Sequence, residues 1–94
     1  MEGKAMAEIW IPSRMQTLTG GKQQVQIQGA TMRQIINNLE KNYPGMKDLL
    51  LDGDGENIMP GVAVIIDGET ANLGLLERVQ EGSEIHFLPA IGGG

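Results

Sequence analysis

Ile85-His86-Phe87-Leu88-Pro89-Ala90-Ile91-Gly92-Gly93-Gly94 is the stretch on which the reading of this chain turns. Its start alternates like a β-strand, with Ile85 and Phe87 on one face and His86 and Leu88 on the other. Pro89 fixes φ and has no N–H to donate, so the strand ladder is expected to stop there and release the chain. Ala90 to Gly94 are then expected to form an extended tail. Glycine adds no side chain and costs conformational entropy to order, so a folded domain gains no stability from Gly92-Gly93-Gly94. The useful object is the end itself: the Gly94 carboxylate sits on bare backbone, with nothing to hinder an enzyme's approach. Taken alone, such an ending reads as a loose terminus. The order of elements ahead of it changes that reading.

Working outward, Glu81-Gly82-Ser83-Glu84 is the turn into this last strand. Before it, Leu75, Leu76 and Val79 read as a packed connection. Gly61 to Ile66 is a β-branched run that meets Asp67-Gly68, a strong hairpin signal, with Glu69 to Leu73 as a short return strand. Asp52-Gly53-Asp54-Gly55 is a polar loop, and Met46 to Leu51 fits a short helical turn. Upstream, Met32, Ile35, Ile36, Leu39 and Tyr43 recur at helical spacing as one apolar stripe. Thr31 is placed to cap that helix, with Gln34 in capping-box position, and Pro44-Gly45 ends it. Gln23 to Gln28 alternates cleanly, with Val25 and Ile27 on one face and glutamines on the other. Leu18-Thr19-Gly20-Gly21-Lys22 punctuates a loop, and Ala7 to Pro12 reads as the first strand. Two hairpins thus flank one helix, which covers one face of a sheet and leaves the other open: an α+β domain. It spans 1–94, with 1–6 as a loose N-terminus and 90–94 as the tail.

Composition narrows the function. The chain has 94 residues, enough for one small domain. Its formal charge of −5 and three aromatic residues make it a poor nucleic-acid binder, because neutralising phosphates needs Lys and Arg. A protein partner with a basic surface suits it better. Cysteine is absent, which removes disulfides, thiolate metal sites and a cysteine nucleophile together. No apolar run approaches the roughly 20 residues that span a bilayer, and the first residues lack the layout of a signal peptide. The expected location is the cytoplasm. His86 has no serine or cysteine arrangement around it and reads as a solvated strand residue. Asp52, Asp54 and Glu56 lack the glycine and distal glutamate of a calcium loop, so no metal site is expected.

The element order, the Tyr43-Pro44-Gly45 helix exit, the Asp67-Gly68 hairpin and the ending Phe87 to Gly94 together resemble the β-grasp, ubiquitin-like sulfur carriers. These include the small subunit of molybdopterin synthase and the carriers of thiamine and cysteine biosynthesis. The resemblance covers nearly all of 7–94. Thiamine carriers are typically shorter and lack the stretch from Met46 to Pro60, so the molybdopterin and cysteine-biosynthesis types are the better match. Two positions depart from the usual pattern: Gly92 before the terminal pair, and Glu81-Gly82-Ser83-Glu84 where Asp-Gly-Asp-Glu is usual.

The resemblance implies a fold and a role. The fold is a mixed sheet with its first and last strands parallel in the middle. Ile9, Ile11, Ile85 and Phe87 would face the helix, and Trp10, His86 and Leu88 the open side, beside Ala63 or Ile65. The role is a co-substrate with no catalytic side chains of its own. An ATP-using, ubiquitin-activating-type adenylyltransferase would adenylate Gly94, and sulfur transfer would convert it to a thiocarboxylate. That sulfur would pass to an acceptor such as a molybdopterin synthase large subunit or a cysteine synthase. No cofactor is expected on the carrier. Gly93, Gly92, Ile91, Ala90, Pro89, Leu88 and Trp10 would contact partners. Two other readings stay open at this point: a ubiquitin-like modifier joined through Gly94 to lysine amines, and a β-grasp interaction module with an inert end.

Overall fold

The computed structural model describes residues 6–89. Strand β1 (Met6–Trp10) pairs antiparallel with β2 (Gln24–Gln28), and helix α1 (Met32–Asn42) and the short helix α2 (Met46–Leu50) follow. Strands β3 (Val62–Ile66) and β4 (Glu69–Thr70) form the second hairpin, and β5 (Glu84–Pro89) ends the described chain. The sheet order is β2-β1-β5-β3-β4. β5 lies in the middle, parallel to β1 and antiparallel to β3. This is the mixed β-grasp sheet with one main helix on one face.

Alternation in the strands decides which side faces that helix. Ile9, Ile85 and Phe87, with Val25, Ile27 and Val64 beside them, are buried against Met32, Ile35, Ile36 and Leu39 of α1. Thr31 starts α1 as expected: its hydroxyl accepts from the Gln34 N–H at 3.3 Å. The Gln34 side chain reaches back one residue further than a capping box requires, accepting from the Ala30 N–H at 2.8 Å. At the hairpin, Asp67 and Gly68 both have positive φ, 52° and 87°, the backbone of a type I′ turn. Asp67 also accepts from the Glu84 N–H at 2.9 Å, tying this turn to the start of β5.

Several expectations need correction. Met6 is not part of a loose N-terminus: it lies opposite Gln28 in β1, and its carbonyl accepts from the Gly82 N–H at 2.9 Å. β1 sits between two strands, so both of its edges are held. Ser13–Thr19 forms a 3-10 helix where only the turn at its end was expected. β4 is two residues long and does not reach Leu73. Leu75 and Val79 are buried, but Leu76 is 72% exposed. Gly74–Leu76 is a 3-10 turn, whose tight winding points neighbouring leucines in different directions, so only one of them meets the core.

Helix α2 is held by a residue on α1. The Glu40 carboxylate accepts from the Lys47 N–H at 2.8 Å and from the Gly45 N–H at 3.1 Å. These are the unpaired donors at the start of a helix, where negative charge is favoured. The Lys47 and Gly45 amides, in that order, lower the Glu40 pKa below the ordinary glutamate range, and the Lys47 charge adds to this.

Candidate functional site

The described chain ends on Pro89, so the surface around the end of β5 is the base from which the tail departs. Ala90, Ile91, Gly92, Gly93 and Gly94 lie outside the described residues. Pro89 itself is exposed and in register with Val62, so the ladder to β3 runs through it, while the ladder to β1 ends at His86. The missing N–H of Pro89 therefore falls where the pairing with β1 is already over.

The open sheet face is built by register. Trp10 lies beside His86 across the parallel β1–β5 pair, and His86 lies opposite Ile65 on β3. One step along β5, Leu88 lies opposite Ala63. The Trp10 and His86 rings stack with centroids 5.3 Å apart and planes 8° from parallel. This geometry fits offset aromatic stacking. Leu88 is 47% exposed, and Ile65 and Ala63 are half-buried. The indole Nε1 of Trp10 is shielded from solvent and has no hydrogen-bond partner among the described residues. A buried donor without an acceptor is costly, and an acceptor brought by a partner would satisfy it. The structure thus brings Trp10 and Leu88 to the open side of the sheet, while Pro89, one residue past Leu88 and in register with Val62, falls on the side of Phe87 and Val64. His86 is also near an acid, with its Nε2 3.9 Å from Glu84 Oε1.

A shallow apolar groove adjoins the tail base, lined by Pro12, Arg14, Met15, Val62, Phe87 and Pro89 among others. Arg14 and Met15 were not singled out in the sequence. They reach the groove because Ser13–Thr19 winds as a helix, and Pro12 directly before it is the signal that could have shown this. The acidic loop is accounted for locally: Glu56 pairs with Arg33 at 3.5 Å, and Asp52 accepts from Asn57. Among the described residues no cluster of His, Cys, Asp or Glu is placed to hold a metal ion. No described helix is long and apolar enough to cross a membrane.

Comparison with known proteins agrees with this geometry. The ThiS family model matches residues 9–94. The sulfur carrier protein CysO of Mycobacterium tuberculosis is 30% identical over 87 residues, covering 89% of this chain and 94% of that protein. The crystal structure of the Amycolatopsis orientalis BexX/CysO complex contains a chain that superposes with a TM-score of 0.83 at 31% identity, covering 94% of this chain and 99% of that one. The crystal structure of M. tuberculosis CysO superposes with a TM-score of 0.84 at 27% identity, covering 90% of this chain and 99% of that one.

Proposed function

The chain belongs to the ThiS family, and from that membership we propose that it is a sulfur carrier of the cysteine-biosynthesis type. The observation that carries the reading is the match to a named sulfur carrier over nearly the full length of both chains. Gly94 is the reactive end. An ionised α-carboxylate, with a pKa of about 3.3–3.7, is a poor acyl electrophile at neutral pH. Attack of that carboxylate on the α-phosphorus of ATP, in an adenylating partner, expels pyrophosphate and leaves an acyl-adenylate. Hydrosulfide then displaces AMP and leaves a thiocarboxylate. The sulfur is now nucleophilic and tethered, so it enters an acceptor's active site without release as free sulfide.

The described residues supply a holding surface for this chemistry. Trp10, Ile65 and Leu88 present an apolar patch on the open face beside the tail base, the kind of surface that anchors a protein partner. Five residues can span at most roughly 17 Å at about 3.3–3.6 Å each, a reach long enough to enter a narrow tunnel. Partners of two kinds follow: the ATP-dependent activator and the enzyme that accepts the sulfur. That the Amycolatopsis CysO chain is found in complex with BexX supports a protein partner of this sort. A cytoplasmic setting, where the activator has ATP, goes with this reading.

The test is an incubation with ATP, sulfide and the adenylating enzyme of the native host, read by intact mass. A gain equal to one oxygen replaced by sulfur, placed on Gly94 by fragmentation, is the expected result. Stable isopeptide adducts to lysine amines, with no such gain, would overturn the reading in favour of a modifier. Trp10→Ala is expected to weaken binding to the activator while leaving the fold intact, and unchanged affinity would remove Trp10 from the interface.

A further inference from the structure

The sheet has two edges, β2 and β4. Open edges invite pairing with another chain, and proteins blunt them with short strands, charges, prolines or bulges. β4 is blunted: it is two residues long and begins with Glu69. β2 is not. Gln24-Val25-Gln26-Ile27-Gln28 contains no proline and no charge, and it pairs with β1 in unbroken register.

The phase of its hydrogen bonds is set by two contacts. The Ile11 N–H donates to the Gln23 carbonyl at 2.8 Å, so Gln23, Val25 and Ile27 point their backbones at β1. The Glu8 N–H donates to the Ser83 carbonyl at 2.8 Å, which shows Glu8, opposite Gln26, turned the other way. The backbones of Gln24, Gln26 and Gln28 therefore point outward from the sheet. The Gln28 carbonyl is taken by the Asn38 side chain at 2.7 Å, so the usable edge is Gln24 to Gln26 with the outward N–H of Gln28.

A groove runs between this edge and α1, lined by Met6, Gln26, Ile27, Asn38, Lys41 and Tyr43 among others. No carboxylate lines it among the described residues, although the chain carries 12 acidic residues against seven basic ones. Its charges are cationic: Lys41 in the wall, and Lys22 near one end, where its ammonium sits 5.9 Å from the Tyr43 ring centroid.

We propose that the β2 edge docks an extended segment of a partner protein as a sixth strand, with an apolar side chain over Tyr43 and acidic residues against Lys22 and Lys41. Main-chain pairing supplies affinity and the groove selects alternate side chains. The basic groove on an acidic molecule selects an acid-bearing strand over a basic one and over a second copy of this chain, which carries the same net charge of −5. Trp10, Ile65, Leu88 and the tail base do not line this groove. The edge is therefore free while the carrier is engaged through its tail, and this inference stands apart from the sulfur-carrier reading.

The experiment uses the whole chain, isotope-labelled, titrated with the peptide acetyl-Asp-Val-Thr-Val-Thr-Val-Asp-amide and followed by backbone amide shifts. Shifts and slowed hydrogen exchange at Gln24 and Gln26 are expected, weakening as salt rises. Gln26→Pro removes an outward N–H and leaves the β1 ladder whole, so it should keep the fold and lower affinity about tenfold. Charge reversal at Lys22 and Lys41 together should lower it by a similar factor, and this carries the test if Gln26→Pro fails to fold. Three results would overturn the proposal: unchanged affinity in these variants, shifts confined to Trp10, His86 and Leu88, or self-association of the free protein abolished by Gln26→Pro. Thiocarboxylate formation by the Lys22, Lys41 variant should match wild type.

Discussion

Ile85 and Ile65 stand on opposite faces of the same sheet, so truncating each to alanine separates what holds the fold from what meets a partner. Ile85 lies on the central strand, between Ile9 and Ile66, and is fully buried. Ile→Ala deletes three carbons, at about 0.8 kcal/mol for each buried methylene-sized group. That gives about 2.4 kcal/mol before any cavity is counted, and the surrounding α1 side chains cannot close the gap fully. The expected cost is therefore about 3–4 kcal/mol, within the range seen for buried large-to-small changes. For a domain of this size, each kcal/mol lowers Tm by about 4–8 °C, so Ile85→Ala should melt at least about 12 °C lower. Ile65 is half-buried on the open face, with His86 and Thr70 as cross-strand neighbours. Its truncation should cost about 1 kcal/mol. Urea unfolding of both variants, with equal m-values, measures the two costs. Binding to the proposed activating enzyme should rank them the other way, with Ile65→Ala losing about tenfold in affinity. Equal stability costs would refute the assignment of faces. A full-strength complex with the Ile65 variant would refute the open face as the docking surface.

Other perturbations follow from single contacts. Gly94→Val should abolish thiocarboxylate formation with no change in Tm, because a branched side chain at the proposed reactive end would obstruct a narrow active site; a variant that still gains the sulfur mass would remove the steric argument. Glu40→Gln should flatten the acid limb of the stability curve. The Glu40 pKa is lowered in the fold from the ordinary 4.5, so its contribution is present above that unfolded value and is lost as pH falls through the folded one. Wild type and variant should converge in acid and separate near neutrality; a constant offset across the whole range would contradict the capping role. Gly29→Ala would place a Cβ 2.9 Å from Ile35 Cδ1 and 3.0 Å from the Ile35 backbone nitrogen. A loss of about 1–3 kcal/mol is expected in thermal unfolding, and a neutral result would mean that the β2–α1 junction yields without strain.

The faces of the strands and the stripe of α1 were legible in the sequence because period two and period 3.6 report burial directly. Alternation set His86 and Leu88 apart from Ile85 and Phe87, and Trp10 from Ile9; the resemblance to the β-grasp carriers put Trp10, His86 and Leu88 on the open side, and the register bears this out. Arg14 and Met15 escaped because a short 3-10 helix has no periodic signal of its own. Glu40 escaped for a different reason: in the α1 pattern it is one more polar position, and its capping of α2 depends on how the chain turns at Gly45, where φ is 107°. Leu75 and Leu76 are adjacent and chemically identical, so nothing local distinguishes the one that is buried.

By itself the sequence determined which residues are apolar at which period, where the chain must turn, and that a bare glycine run follows soon after Pro89. Those are local properties, carried by side-chain chemistry and backbone freedom within a few residues. The tertiary structure decided what distant segments do when they meet. It stacked Trp10 on His86 by laying β5 parallel to β1, turned the Glu40 carboxylate onto the amides of α2, and left the backbones of Gln24 and Gln26 facing outward at a sheet edge. The first and last rest on strand order and hydrogen-bond phase and the second on the turn at Gly45, and local periodicity encodes none of them.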